Sequence, residues 1–141
     1  MKSNYSLKIS YVQIAIVSIL ILGATSCNED DPLERDKFLG SYLVSRVCVL
    51  DADAYFTATI TAGSGENGII FTTTSSFSYS LTGTVSGSGL TIPQQMIGGG
   101  GDNFLITGTG TLSGNTLTII VQVVIMDGGE TDQCTLICTK Q

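Results

Sequence analysis

The sequence predicts an all-β fold: an eight-stranded antiparallel barrel, or a sandwich nearly closed on itself, with a short N-terminal helix. From Ser41 onward apolar residues alternate with polar ones, and turn-forming residues recur about every 8 to 12 positions, which is typical of such folds. The composition agrees, because 17 glycines and only 13% charged residues indicate a turn-rich β protein. With 43% hydrophobic residues the chain is globular rather than disordered.

Residues 1–26 have the pattern of a secretory signal peptide. Two lysines precede an apolar run, residues 9–24, which is shorter than the roughly 20 residues that a permanent membrane helix needs. The run ends in Ala24-Thr25-Ser26-Cys27, which resembles a bacterial lipobox. The resemblance implies that Cys27 is acylated on sulfur, with palmitate among the attached chains, and becomes the mature N-terminus. The alternative is an ordinary cleaved signal with an incidental Cys27.

Residues 27–35 read as an acidic tether between the anchor and a domain at 36–141. An acidic run beside a lipidated cysteine resembles the surface-export signals of Bacteroidota lipoproteins, which implies an outer-membrane protein facing the outside of the cell. A hydrated linker of a protein that faces the periplasm is the alternative. Asp31 as N-cap, Pro32 at the first helical position and Glu34 at the third predict a helix that Gly40 ends.

Eight strands follow, each joined to the next by glycine-rich or polar turns that suit antiparallel neighbours. The segment at 94–102 is predicted as a flexible loop able to cover the mouth of a barrel. The predicted strands are 41–49, 54–62, 68–74, 77–85, 90–93, 103–111, 116–126 and 131–139.

The domain carries almost no charge, and this feature favours closure of the sheet. Between Ala54 and Met126 the only charged residues are Glu66 and Asp102. Neutral, β-prone strands with free edges would pair with other chains, so we expect the strand near residue 45 to pair with the strand near residue 135.

The strand at 116–126 is apolar on both faces. Leu117 and Ile119 begin one apolar face, whereas Ile120, Val124 and Met126 load the other. We expect a loop or the short helix to cover the second face; the alternative is an exposed apolar strip that meets a partner or the membrane.

The cysteines constrain the closure further. With Cys27 lipidated, Cys48, Cys134 and Cys138 remain in an oxidising compartment, and the last two lie about 13 Å apart along one strand, too far to bridge. We expect a Cys48–Cys134 disulfide with Cys138 as a small buried side chain. A Cys48–Cys138 bridge is the alternative.

Several short motifs occur in a recognisable order along residues 36–141. These are Phe38-Leu39-Gly40-Ser41-Tyr42, Cys48, Leu90-Thr91-Ile92-Pro93-Gln94-Gln95, Gly108-Thr109-Gly110-Thr111-Leu112-Ser113-Gly114-Asn115 and Cys134. Together they resemble the short lipocalin-like lipoproteins of Bacteroidota. The resemblance implies a lipocalin-like β domain on a surface lipoprotein, without an established enzymatic activity and without binding residues to carry over.

Composition excludes several classes of function. The chain has no histidine and a net charge of −6, which argues against a nucleic-acid footprint, a His-ligated metal and Ser-His or Cys-His catalysis. Carboxylates cluster at Asp51 and Asp53 and again around residues 127–132, where solvated turns are the simpler interpretation. The aromatic residues are read as core, with a pocket lining as the alternative; they are Tyr42, Tyr55, Phe56, Phe71, Phe77, Tyr79 and Phe104.

The sequence therefore predicts a lipid-anchored outer-membrane protein with a non-catalytic β domain and neither cofactor nor metal. Its expected partners are the membrane, through the anchor, and a small hydrophobic ligand inside the barrel. A structural or adhesive surface protein with a filled core is the first alternative, and a carboxylate-dependent hydrolase the second. The oligomeric state is left open.

Overall fold

A computed structural model of the chain describes residues 32–74, 78–99 and 102–141. These residues form one short 3₁₀ helix, Glu34–Phe38, and a closed barrel of eight strands. No helix among them is long and apolar enough to span a bilayer. The strands are β1 Gly40–Cys48, β2 Ala54–Ala62, β3 Gly68–Thr73, β4 Ser80–Ser86, β5 Gly89–Gly99, β6 Asp102–Ser113, β7 Thr116–Ile125 and β8 Thr131–Lys140.

The predicted closure of the sheet is confirmed. Each strand pairs antiparallel with the next, and β1 pairs with β8 from Tyr42 opposite Lys140 to Cys48 opposite Cys134. Ser45 lies opposite Ile137, as the sequence predicts for the strands near residues 45 and 135. Closure pairs the backbone groups at both edges of the sheet with each other. The described strands, which carry so little charge, therefore have no free edge at which another molecule could add a strand.

The period-two pattern sets which side chains face the interior. In β4, Leu81 and Val85 are buried, whereas Ser80 and Thr82 are exposed. The turns also have the predicted chemistry. Gly87 and Gly114 each open a two-residue turn with φ of 55° and 57°, and positive φ at that first position is the pattern of a type II′ hairpin.

The N-terminal helix differs from its prediction. It is a five-residue 3₁₀ helix that begins at Glu34 after Leu33, and the predicted cap, Asp31, lies outside the described residues. Its first residues bind the turns at one end of the barrel, since Arg35 donates to the carbonyls of Gly63 and Gly65 and Glu34 accepts from a turn amide. A segment with so few residues gains its stability from such contacts rather than from its own helical bonds.

We call this end of the barrel the helix end. Phe38 is fully buried there, and its carbonyl accepts a 2.7 Å hydrogen bond from the buried hydroxyl of Tyr42. Lys140, from the last strand, donates to the Lys37 carbonyl. The helix therefore plugs one end of the barrel with an apolar side chain and ties it to β1 and β8.

The predicted loop at 94–102 is wrong, because β5 continues to Gly99 and pairs with β6 after an irregularity between Ile92 and Gln95. Proline at position 93 cannot donate to a neighbouring strand. The Gln95 side chain replaces the missing ladder bonds: its Oε1 accepts from the Thr82 amide at 2.9 Å and its Nε2 donates to the Thr82 carbonyl at 2.9 Å. Gln95 thus joins β4 to β5 where their backbones separate.

The expectation that the outer face of β7 is covered is also wrong. The 3₁₀ helix contacts β2 and β4, and Ile120 and Met126 are 46% and 50% exposed. Tyr55, read as core, is 78% exposed on β2. Alternation places these side chains outside the barrel, where they stay exposed.

Candidate functional site

The barrel encloses a cavity of about 230 Å³ in the half away from the helix end. Its wall is mainly apolar. β7 contributes the largest continuous part of it through Ile119, Val121, Val123 and Ile125, which face inward because they occupy alternate positions of one strand. The interior of an eight-stranded barrel is just wide enough to be filled by side chains or to hold one small ligand, and this half is not filled.

Aromatic residues line the same cavity. Phe71, Tyr79 and Phe104 all belong to its wall, so the pocket alternative for the aromatic residues applies to these three. Phe71 is also a buried core residue, and Tyr42 is a buried core residue outside the cavity wall. Phe77 lies outside the described residues.

Three charged residues, Arg46, Asp51 and Asp132, line the mouth of the cavity. Arg46 occupies an inward position of β1, between Val44 and Cys48 in the alternation of that strand. One of its terminal nitrogens, Nη2, donates to Asp51 Oδ2 at 2.6 Å and to the Ala52 carbonyl at 3.3 Å. Its Nε is buried and has no hydrogen-bond partner among the described residues.

Asp132 has a structural role at this mouth. It is 8% exposed, and its Oδ1 accepts hydrogen bonds from the backbone amides of Val49, Leu50 and Gln133 at 3.1, 3.0 and 2.7 Å. These bonds hold the start of the β1–β2 loop against β8. The loop that carries Asp51 is therefore anchored at its first residues.

The positive charge of Arg46 also affects the pKa of Tyr79. Burial raises the pKa of Tyr79, and the positive charge of Arg46 partly opposes this rise. The two side chains thus belong to one polar region of an otherwise apolar cavity wall.

The predicted disulfide between Cys48 and Cys134 is confirmed. Cys138 is a buried free thiol, and burial raises its pKa to about 12, so it stays protonated and unreactive at neutral pH. The sulfurs of Cys48 and Cys134 lie with an Asp132 oxygen within 4.8 Å of one another. Because both sulfurs are consumed by the disulfide, this cluster does not offer thiolate ligands to a metal.

Neither group of carboxylates that are close in sequence forms a shared site, which agrees with their interpretation as turn residues. Asp51 forms an ion pair with Arg46, whereas its neighbour Asp53 is exposed and lies outside the cavity wall. In the second cluster Asp132 is buried and the side chains of Asp127 and Glu130 are exposed. The carboxylates that do share a site, Asp51 and Asp132, come from opposite ends of the domain.

Arg46 is the residue that the sequence analysis missed. A signal was present, because Tyr42, Val44 and Cys48 alternate as an inward face and Arg46 occupies the same phase. A charge at an inward position needs a partner or a ligand. The lipidation site Cys27 lies outside the described residues, so its assignment stays a prediction.

Comparison with known proteins does not assign a family. No family model matches the chain, and no curated protein matches it. Among solved structures, it is similar to a protein of unknown function from the DUF3598 family of Nostoc punctiforme, with a TM-score of 0.47, 12% sequence identity and coverage of 75% of this chain and 48% of that one. This chain thus spans about half the length of that protein, and a likeness of this degree assigns no function.

Proposed function

We propose that this protein is a lipocalin-like lipoprotein, held at the outer membrane by an acylated Cys27 and facing the outside of the cell, whose barrel binds one small hydrophobic ligand without catalysing a reaction. The observation that carries the binding function is the apolar cavity of about 230 Å³. The lipobox-like residues 24–27 support the anchoring, and the acidic run after them supports display on the outside of the cell.

The size and lining of the cavity support a ligand. An engineered apolar cavity of about 150 Å³ binds benzene, and this one is larger at about 230 Å³. A cavity left unfilled lowers stability, because the side chains that line it lose packing contacts. A ligand that occupies it restores the missing contacts and removes apolar surface from water.

Native mass spectrometry of the protein purified from its own cells tests the binding function. We expect a co-purifying mass on the wild type and on Ile120→Phe, whose side chain points outward. Val121→Phe, the adjacent inward residue, fills the cavity and should lose that mass. A wild type without bound mass, or equal occupancy in both variants, would contradict the proposal.

The anchor has a separate test. Cys27→Ser should abolish incorporation of labelled palmitate and release the protein from the membrane fraction, because acyl chains supply the membrane affinity. Cys138→Ser serves as the control for a change of cysteine content and should leave both unchanged. A Cys27→Ser protein that remains lipidated would refute this assignment.

One observation favours the structural or adhesive alternative. On the outer face, Met96 lies opposite Leu105 and Leu105 opposite Val124, which aligns three apolar side chains across β5, β6 and β7, and Met96 is 64% exposed. If this row is an adhesive surface, Met96→Lys reduces self-association in sedimentation experiments and leaves ligand occupancy unchanged. The binding function is supported instead if Val121→Phe loses its bound ligand while Met96→Lys still self-associates.

A further inference from the structure

The guanidinium at the mouth of the cavity indicates which head group the ligand carries. We infer that the ligand is amphipathic, with a single carboxylate that replaces Asp51 on Arg46 and an apolar tail that enters the barrel. This inference rests on the proposed binding function and adds to it the chemistry of recognition.

The first argument is the incomplete pairing of Arg46. A guanidinium and a carboxylate usually form two parallel hydrogen bonds, but Asp51 is bound through Nη2 alone, and its Oδ1 accepts from the Ala52 amide instead. Nε is buried and has no hydrogen-bond partner in the part of the chain that the structure describes. Desolvating such a donor is costly, so an acceptor that satisfies more of the guanidinium than Asp51 does would be favoured at Arg46.

The second argument is the difference in burial between the two members of the ion pair. The Asp51 side chain is 58% exposed on a loop, whereas the Arg46 side chain is 30% exposed on a strand. Exposed ion pairs contribute little to protein stability, so Asp51 can return to water at little cost. A bound carboxylate keeps Arg46 paired throughout.

A cationic head group is disfavoured by the same arrangement. To pair with Asp51 it would separate that carboxylate from Arg46 and leave a partly buried guanidinium without an anion. Asp132, the other acid at the mouth, already accepts three backbone hydrogen bonds through Oδ1. Its charge therefore has donors of its own and does not need a ligand.

The tail follows from the volume and the wall. The cavity, at about 230 Å³, exceeds the size that a single benzene ring requires, and Ile119, Val121 and Val123 present branched aliphatic side chains to it. A medium-length alkyl chain fits this lining, so octanoate is a suitable probe.

Calorimetric titration of the full chain in phosphatidylcholine vesicles, with protein-free vesicles subtracted, tests the inference. The probes are octanoate, octanol and octylamine, which share a tail and differ in head group. We expect octanoate to bind about tenfold more tightly than octanol, because its carboxylate forms a charge-assisted hydrogen bond with the partly buried guanidinium of Arg46. We expect octylamine to bind most weakly.

The variants identify the residue responsible. Arg46→Gln should reduce octanoate affinity to that of octanol while octanol binding is kept, and the retained octanol binding shows that the barrel is folded. Asp51→Asn should tighten octanoate binding because it removes the competing carboxylate. Arg35→Gln, at the helix end, is the matched control and should leave the preference for octanoate unchanged.

The outcomes separate the inference from the proposed function. If none of the three probes binds, the proposed function fails. If octanol binds as tightly as octanoate, if octylamine binds best, or if Arg46→Gln keeps the preference for octanoate, the head-group inference is overturned and the binding function stands.

Discussion

Removal of the Cys48–Cys134 disulfide should destabilise the barrel mainly through the unfolded chain. The two cysteines are 86 residues apart in sequence. In the chain-entropy model a cross-link that closes a loop of this length contributes about 4.6 kcal/mol at 25 °C. Since small domains are stable by about 5 to 15 kcal/mol, the bridge supplies a large share of the free energy of unfolding.

Urea unfolding of Cys48→Ala/Cys134→Ala, followed by circular dichroism, measures this effect. The variant also loses two sulfur atoms, so Cys138→Ala, a buried cysteine on β8 without a bridge, measures the packing cost of one of them. We expect the double variant to lose about 4 to 5 kcal/mol beyond twice that cost. Its m-value should rise, because the unlinked chain exposes more surface on unfolding.

Wild-type protein unfolded in the presence of a reductant should behave as the double variant does. A loss no larger than that of Cys138→Ala, with an unchanged m-value, would refute the reasoning. It would mean that pairing of β1 with β8 persists in the denatured chain, so that the cross-link removes little entropy.

Three further changes test other parts of the structure. Gln95→Ala should destabilise the barrel by about 1 to 3 kcal/mol in urea unfolding, because it removes two hydrogen bonds to the backbone of Thr82, whereas Gln94→Ala should cost little. Gly108→Ala should cost about 1 to 3 kcal/mol and more than Gly110→Ala, because its Cβ would lie 2.7 Å from a backbone oxygen against 3.1 Å at Gly110. Burial raises the pKa of Tyr42 to about 12, so stability should hold below pH 10 and fall between pH 10 and 12, less steeply in Tyr42→Phe.

The sign of the pH effect follows from which state ionises first. The unfolded chain loses the Tyr42 proton near pH 10, its ordinary pKa, and the folded chain holds it until about pH 12, so rising pH favours unfolding in that interval. Equal slopes of stability against pH in the wild type and Tyr42→Phe would contradict this.

The predictions for Gln95 and Gly108 have their own contradicting results. Equal losses of stability in Gln95→Ala and Gln94→Ala, or in Gly108→Ala and Gly110→Ala, would count against the contacts described.

The strand pattern was predictable because alternation is a local property of the chain. Leu81 and Val85 face inward for the same reason that Thr82 and Thr84 face outward, and no distant residue is needed to infer it. The extension of β5 was not predictable from local residues, since Gly98 and Gly99 read as loop. Pairing with β6 and the Gln95 side chain hold that segment in the sheet.

The sequence by itself predicted a charge-poor barrel or nearly closed sandwich whose first and last strands meet, and it favoured a Cys48–Cys134 bridge over Cys48–Cys138. Only the tertiary structure decided where the barrel stays unfilled and that Arg46 and Asp132, 86 positions apart in the chain, share the mouth of that cavity. The physical reason is that the alternation of residues along one strand decides whether a side chain points into or out of the barrel. Interior volume and the meeting of charges depend on strand register around the whole barrel.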